Sequence, residues 1–129
     1  MKAIQIENYS IIGDRLDEVD ELTEGQMLTN NNFYAIMQLD GNFALYSSSD
    51  CNENNLLWIS KTSNSSSHRP FYLKVEKSNL FLKDVKDNIV WSTTIKTDDS
   101  SSNNCYLKIE GITWLLYFMG LFNVSFIII

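Results

Sequence analysis

FYAIMQLDGNFALY, residues 33–46, is the stretch that decides the architecture. Two apolar-rich runs meet at Asp40-Gly41, a dipeptide that tolerates the positive φ angles of a tight hairpin turn. The segment is therefore read as two antiparallel strands and the turn between them. Along it Leu39, Phe43 and Leu45 alternate with Gln38, Asp40, Asn42, Ala44 and Tyr46. Successive side chains of a strand point to opposite faces. The alternation predicts one apolar face and, opposite it, a face presenting an amide, a carboxylate, a second amide and a phenol.

The same pattern recurs downstream. A polar loop, SSSDCNENN (47–55), leads to LLWISKT (56–62), read as a strand carrying Trp58. The next cycle offers FYLKVEKSNLFLKD (71–84) and NIVWSTT (88–94) with Trp91, and a third opens at CYLKIEGITWLLYF (105–118). Setting Gln38, Lys74 and Lys108 in register gives offsets of 36 and 34 residues, a period suited to one sheet-sized unit per repeat. One small sheet cannot hide its apolar face alone, so three arranged as the sides of a prism bury theirs together, with Trp58 and Trp91 as large fillers. The expected fold is all-β. The one helical alternative, DRLDEVDELT (14–23), puts Leu16, Val19 and Leu22 at spacing three, but six of its ten residues are charged.

These residues resemble the bulb-type (monocot) mannose-binding lectins. QLDGNFALY matches that family's Q-x-D-x-N-x-V-x-Y signature with Ala44 in place of Val, LTEGQMLTNNNFYAIM (22–37) resembles its lead-in strands, and LWISKT and IVWSTT its tryptophan strands. The resemblance implies a β-prism II fold with three pseudo-symmetric small antiparallel sheets. It divides the chain into a lead-in (1–15), a lectin domain (16–117, with repeats 16–62, 63–97 and 98–117) and an apolar tail (118–129). It also implies that Asp40 and Asn42 hold an axial 2-hydroxyl, Gln38 the 3-hydroxyl and Tyr46 the 4-hydroxyl of mannose, with Ala44 against the sugar's apolar carbons. Independently of the family, such a set suits a hexopyranose, whose hydroxyls both donate and accept: Asp40 accepts, Asn42 and Gln38 do both, and Tyr46 does either. The expected site is therefore Gln38, Asp40, Asn42, Ala44 and Tyr46.

The later copies are worn. In register, Lys74, Glu76, Ser78, Leu80 and Leu82 stand where the signature is expected in the second repeat, and Lys108, Glu110, Ile112, Trp114 and Leu116 in the third. The Lys74/Glu76 and Lys108/Glu110 couples are read as surface ion pairs. With one intact site, avidity comes from self-association, as a homo-oligomer, or from a crowded glycan surface. Plant members of the family staple the first hairpin's turn to the start of the second repeat with a disulfide; here those places hold Gly41 and residues near Pro70. The third repeat also lacks its tryptophan strand, so that sheet is expected to be irregular or incomplete.

Composition narrows the rest. The 129 residues are 44% hydrophobic, enough for one core, and carry ten basic against sixteen acidic side chains, for a formal charge of −6. No basic field is available to neutralise phosphates, so no nucleic-acid partner is expected. The first fifteen residues hold no apolar stretch long enough for a signal-peptide core before Asp14 and Arg15. A cytoplasmic location with Cys51 and Cys105 reduced follows as the expectation, and sequons at Asn8, Asn64 and Asn123 stay bare. The lack of a signal-peptide core, together with the Asn/Ser-rich loops, is similar to an intracellular amoebal member of the family that is associated with vesicles and actin, and implies such an association as an expectation. After Glu110 no charged residue follows: GITWLLYFMGLFNVSFIII (111–129) could insert in a membrane, replace the missing strand or mark a shifted reading frame. His68 is the only histidine and sits in a Ser-rich loop; no zinc spacing, calcium loop or phosphate-cradling glycine loop occurs, so neither an enzyme nor a metal or cofactor is expected.

Two functions fit. One is a non-catalytic lectin binding α-D-mannose-type sugars of glycans through the first repeat. The other is a structural or membrane-tethered β-prism that contacts cytoskeletal or vesicle proteins and binds no sugar.

Overall fold

The computed structural model describes residues 3–77, 79–93, 105–110 and 113–118, with side chains included for all but 105, 110 and 113–118. Twelve strands are present among them: β1 (Ser10–Gly13), β2 (Arg15–Asp17), β3 (Leu22–Thr23), β4 (Gln26–Asn30), β5 (Phe33–Met37), β6 (Phe43–Tyr46), β7 (Leu56–Ile59), β8 (Tyr72–Glu76), β9 (Asn79–Lys83), β10 (Ile89–Ser92), β11 (Cys105–Glu110) and β12 (Thr113–Phe118). Helix is confined there to two short 3-10 turns, Ile6–Asn8 and Glu53–Asn55.

The strands form three sheets, ordered β1-β4-β5-β6-β7, β10-β9-β8-β3 and β12-β11-β2. Every described strand pairing is antiparallel except β1 beside β4, where Ser10 lies opposite Gln26. Parallel neighbours need a crossover of roughly a dozen residues. Residues 14–25 supply it, and on the way they contribute β2 to the third sheet and β3 to the second. The helical alternative for 14–23 thus resolves into two strands in different sheets. Leu16 and Leu22 are buried in the core, while Val19 between them is 87% exposed at a turn.

Alternation along each strand builds the core. Leu28, Ala35, Met37, Phe43 and Leu45 from the first sheet, Leu22, Leu73, Val75, Leu80 and Leu82 from the second, and Leu16, Leu107 and Ile109 from the third form one cluster, with Phe71. Trp58 and Trp91 pack against it at a ring separation of 5.3 Å, and Phe43 meets Trp58 edge-on. Asn30 ties the first sheet to the third by donating its side-chain N–H to the Ile109 carbonyl at 2.8 Å.

The second repeat departs from the register expected above. In the first hairpin Met37 opposes Phe43 and the Gln38 N–H donates to the Asn42 carbonyl, leaving residues 39–41 as the connection. In the second, Glu76 opposes Asn79 directly, so the connection is one residue shorter. A one-residue difference moves every later side chain to the other face. Leu80 and Leu82 therefore occupy the core positions of Phe43 and Leu45, and it is Phe81 and Lys83, not Leu80 and Leu82, that share the outer face with Lys74 and Glu76. The Lys74/Glu76 pair does not form: Lys74 donates to the Glu18 carbonyl at 2.9 Å, and Glu76 pairs with Lys83 at 3.0 Å. In the third repeat the side chains of Glu110, Ile112, Trp114 and Leu116 lie outside the described residues, as does the tail beyond Phe118. Residues 113–118 of the apolar stretch are strand β12, paired along their length with β11. Among the described residues no helix is long and apolar enough to cross a membrane.

Candidate functional site

The turn between β5 and β6 gathers the four polar side chains. Gly41 takes φ +92°, and a Cβ there would stand 3.2 Å from both Arg69 Nε and Phe71 Cε2, so glycine is required for two reasons at once. Asp40 turns back over the bend. Its Oδ1 accepts the Asn42 backbone N–H at 2.9 Å and the Gln38 side-chain N–H at 3.1 Å, and its Oδ2 accepts the Asn42 amide at 3.2 Å. Tyr46 donates its hydroxyl to Gln38 Oε1 at 2.5 Å. Gln38, Asp40, Asn42 and Tyr46 thus form one connected network, in which Asp40 alone is exposed.

Two supports that the sequence reading missed hold this turn in place. The first follows β7: Asn42 Oδ1 accepts the backbone N–H groups of Thr62 and Ser63 at 2.8 and 3.2 Å, while Thr62 Oγ1 donates to the Gly41 carbonyl at 2.6 Å. Ser60 Oγ accepts the Phe43 N–H at 2.9 Å. The hydroxyls at two and four residues past Trp58 are the signal that could have found them. Thr93, two past Trp91, likewise accepts the Leu80 N–H and donates to Asn79. The second support is ionic. The Arg69 guanidinium donates twice to Glu24, at 2.7 and 3.1 Å, and to the Leu39 carbonyl at the tip of the turn. Glu24 also accepts the Phe71 N–H at 2.6 Å, and its hydrogen bond to Arg69 raises the guanidinium pKa further. This clamp occupies the place where the family resemblance would put a disulfide.

The face that carries the network is not open. Gln38, Ala44 and Tyr46 have no exposed surface and Asn42 is 6% exposed. Alternation was expected to leave this face to polar groups. Instead Met27, Ile36, Ala44, Tyr46 and Cys51 form a second apolar cluster on the side of the first sheet away from the core, and Ile4, Ile6 and Tyr9 pack over it. Leu39, assigned by the same alternation to the apolar face, is 55% exposed on the turn instead, and its N–H donates to the Tyr9 hydroxyl at 2.9 Å. Burial raises the Tyr46 phenol well above its usual range and pushes the Cys51 thiol up to about 11. The Cys51 thiol is free and donates to the Ser48 carbonyl.

Other candidate chemistry is sparse. His68 is exposed, its backbone N–H donating to Asp84 at 3.4 Å. Asp84 is a turn anchor: burial acts to raise its pKa, but hydrogen bonds from Asn88, Lys86 and His68 outweigh that and hold it low. Among the described residues no group of three or more His, Cys, Asp or Glu is placed to hold a metal ion.

Three sheets facing one core, joined in this order, are the β-prism II architecture of the bulb-type lectins. Solved structures bear this out. The mannose-specific agglutinin from snowdrop (Galanthus nivalis) bulbs, complexed with methyl-α-D-mannoside, superposes with a TM-score of 0.66 at 20% identity over 84% of this chain and 93% of its own. A lectin from Allium sativum gives 0.68 at 23% identity, covering 86% and 99%. A monomeric mannose-binding lectin from Gastrodia elata gives 0.64 at 24% identity, covering 85% and 92%. No family model matches the chain, and no curated protein matches it in sequence.

Proposed function

We propose that this protein is a non-catalytic lectin that takes α-D-mannose-type sugars at Gln38, Asp40, Asn42 and Tyr46, with Ala44 beneath the ring. The observation that carries the reading is the convergence of those four polar groups on one turn, linked at 2.5–3.2 Å. Each internal bond in the network has a sugar hydroxyl as a ready substitute: a vicinal diol offers Asp40 two donors and offers the amides both a donor and an acceptor. Hydrogen bonds to the ionised Asp40 are the strong ones. Neutral ones net only about 1 kcal/mol each against water. One site then binds a monosaccharide at about −4 kcal/mol, near millimolar.

A specific observation favours the second reading, a structural β-prism that binds no sugar: the network is satisfied and covered. An immobilised-mannan column separates the two. Because residues 4–9 overlie the site, two proteins are compared, the wild-type chain and an Ile4→Ser/Ile6→Ser chain whose cover has lost two apolar anchors. Retention that free mannose elutes, and that Asp40→Ala or Tyr46→Phe reduces at least tenfold, supports the lectin. If neither protein is retained, or if retention ignores both site substitutions, the structural reading replaces it.

A further inference from the structure

The cover over the first hairpin is the chain's own beginning. Ile4, Ile6 and Tyr9 are half-buried on the outer cluster, while Gln5, Glu7 and Asn8 between them are exposed. The Ile4 N–H donates to the Cys51 carbonyl at 2.8 Å in a single antiparallel bridge, and Tyr9 accepts the Leu39 N–H at 2.9 Å. The other residues packed on this cluster, Tyr34, Leu56 and Ile59, belong to the sheet itself. The contrast with what lies beneath is large. β6 is paired along its whole length with β5 and both strands feed the central core, whereas residues 4–9 are held to the sheet by one bridge, one side-chain bond and three partly buried side chains. A segment with so few anchors opens locally at a much lower free energy than the whole protein unfolds.

We propose that residues 4–9 are an intramolecular strap that closes the sugar site, so that carbohydrate and strap compete for one face of the first sheet. The inference rests on the carbohydrate reading of that site and adds its regulation. With the strap down, Gln38, Ala44 and Tyr46 are inaccessible. A sugar therefore binds the strap-open form only, and its apparent affinity is reduced by the fraction of molecules that are open. Anything that draws the strap away, such as a partner that grips its apolar side or its removal by a protease, switches the lectin on.

Cys51 gives the test a readout independent of sugar. It lies under the strap opposite Ile4, and paired positions across an antiparallel bridge are at a separation that a disulfide spans. In a Cys105→Ser chain, the rate of Cys51 modification by an aromatic disulfide reagent reports strap opening. Ile4→Ser/Ile6→Ser is expected to speed that reaction and to raise affinity for mannan at least tenfold. Ile4→Cys, oxidised to bond with Cys51, is expected to lose mannan binding and to regain it on reduction, which also shows that the locked chain is folded. Three results overturn the strap. If the serine variant leaves the thiol as slow as before, the segment is not a lid. If the thiol is freed but mannan affinity is unchanged in the serine variant and in the locked chain, the strap fails while the lectin reading stands. If the thiol is freed and no form binds mannan, the lectin reading falls and the strap falls with it.

Discussion

Cys51 shows how burial of one side chain becomes a property of the protein. It is 1% exposed beneath residues 4–9, and burial, with Asp50 adding to it, lifts its thiol from 9.0 to about 11. As pH rises the unfolded chain releases this proton first, so deprotonation favours unfolding. The stabilisation is intact below about pH 9 and is lost progressively up to about pH 11. Tyr46, also raised by burial, acts in the same direction above its ordinary range near 10.0. Denaturant titrations should show unfolding free energy falling by roughly 1–2 kcal/mol across that window, and Cys51→Ala should flatten the lower part of the fall. An unchanged slope in Cys51→Ala would mean that the thiol is wetter than described. The gathering of four polar side chains at one turn, the candidate site, was legible because turn chemistry at Asp40-Gly41 and a strict period of two are local signals. Their cover was not. Ile4, Ile6 and Tyr9 carry no recognisable period, and what they bury, from Met27 to Cys51, lies well beyond the reach of a local pattern.

At the scale of elements, each hairpin is completed by the hydroxyl that follows its tryptophan strand. Ser60 accepts the Phe43 N–H after β7 as Thr93 accepts the Leu80 N–H after β10, and the first repeat adds Thr62, which donates to the Gly41 carbonyl. Thr→Val keeps the shape and removes the hydroxyl, which leaves a buried backbone group without its partner at a cost of about 1–3 kcal/mol. Thr62→Val and Thr93→Val are both expected to destabilise by that amount in denaturant titrations, while only Thr62→Val is expected to lower mannan retention, because the proposed site is on the first turn. Equal loss of retention in both would place the effect in general stability. The second hairpin also shows where pattern reading stops. Lys74 to Leu82 alternates as regularly as Gln38 to Tyr46, yet the Glu76 to Asn79 connection is a residue shorter than Gln38 to Asn42. Alternation fixes the two faces of a strand but not which face is inward; that is decided by the length of the turn, and a single residue reverses it.

For the molecule as a whole, the three sheets have one interior between them. Leu73 lies on β8 of the second sheet, but the cluster it joins includes Leu45 of the first and Leu107 of the third, and Trp58 and Trp91 meet there from strands of two different sheets. A sheet taken alone would leave its apolar face in water, so none of the three is expected to be stable without the others. Removing the Leu73 side chain should therefore weaken the entire prism: Leu73→Ala is expected to cost about 2–5 kcal/mol through lost transfer energy and the cavity left behind. Tryptophan fluorescence and far-ultraviolet circular dichroism should move to lower denaturant together, by the same amount and in a single transition. The outer cluster sets the contrast, since it is closed by residues 4–9 and not by a second sheet. Ile6→Ala should speed Cys51 modification while leaving the midpoint of that common transition nearly unchanged. If the fluorescence and dichroism transitions of Leu73→Ala separated, the sheets would be independent folding units and the shared core would not be what holds the prism together.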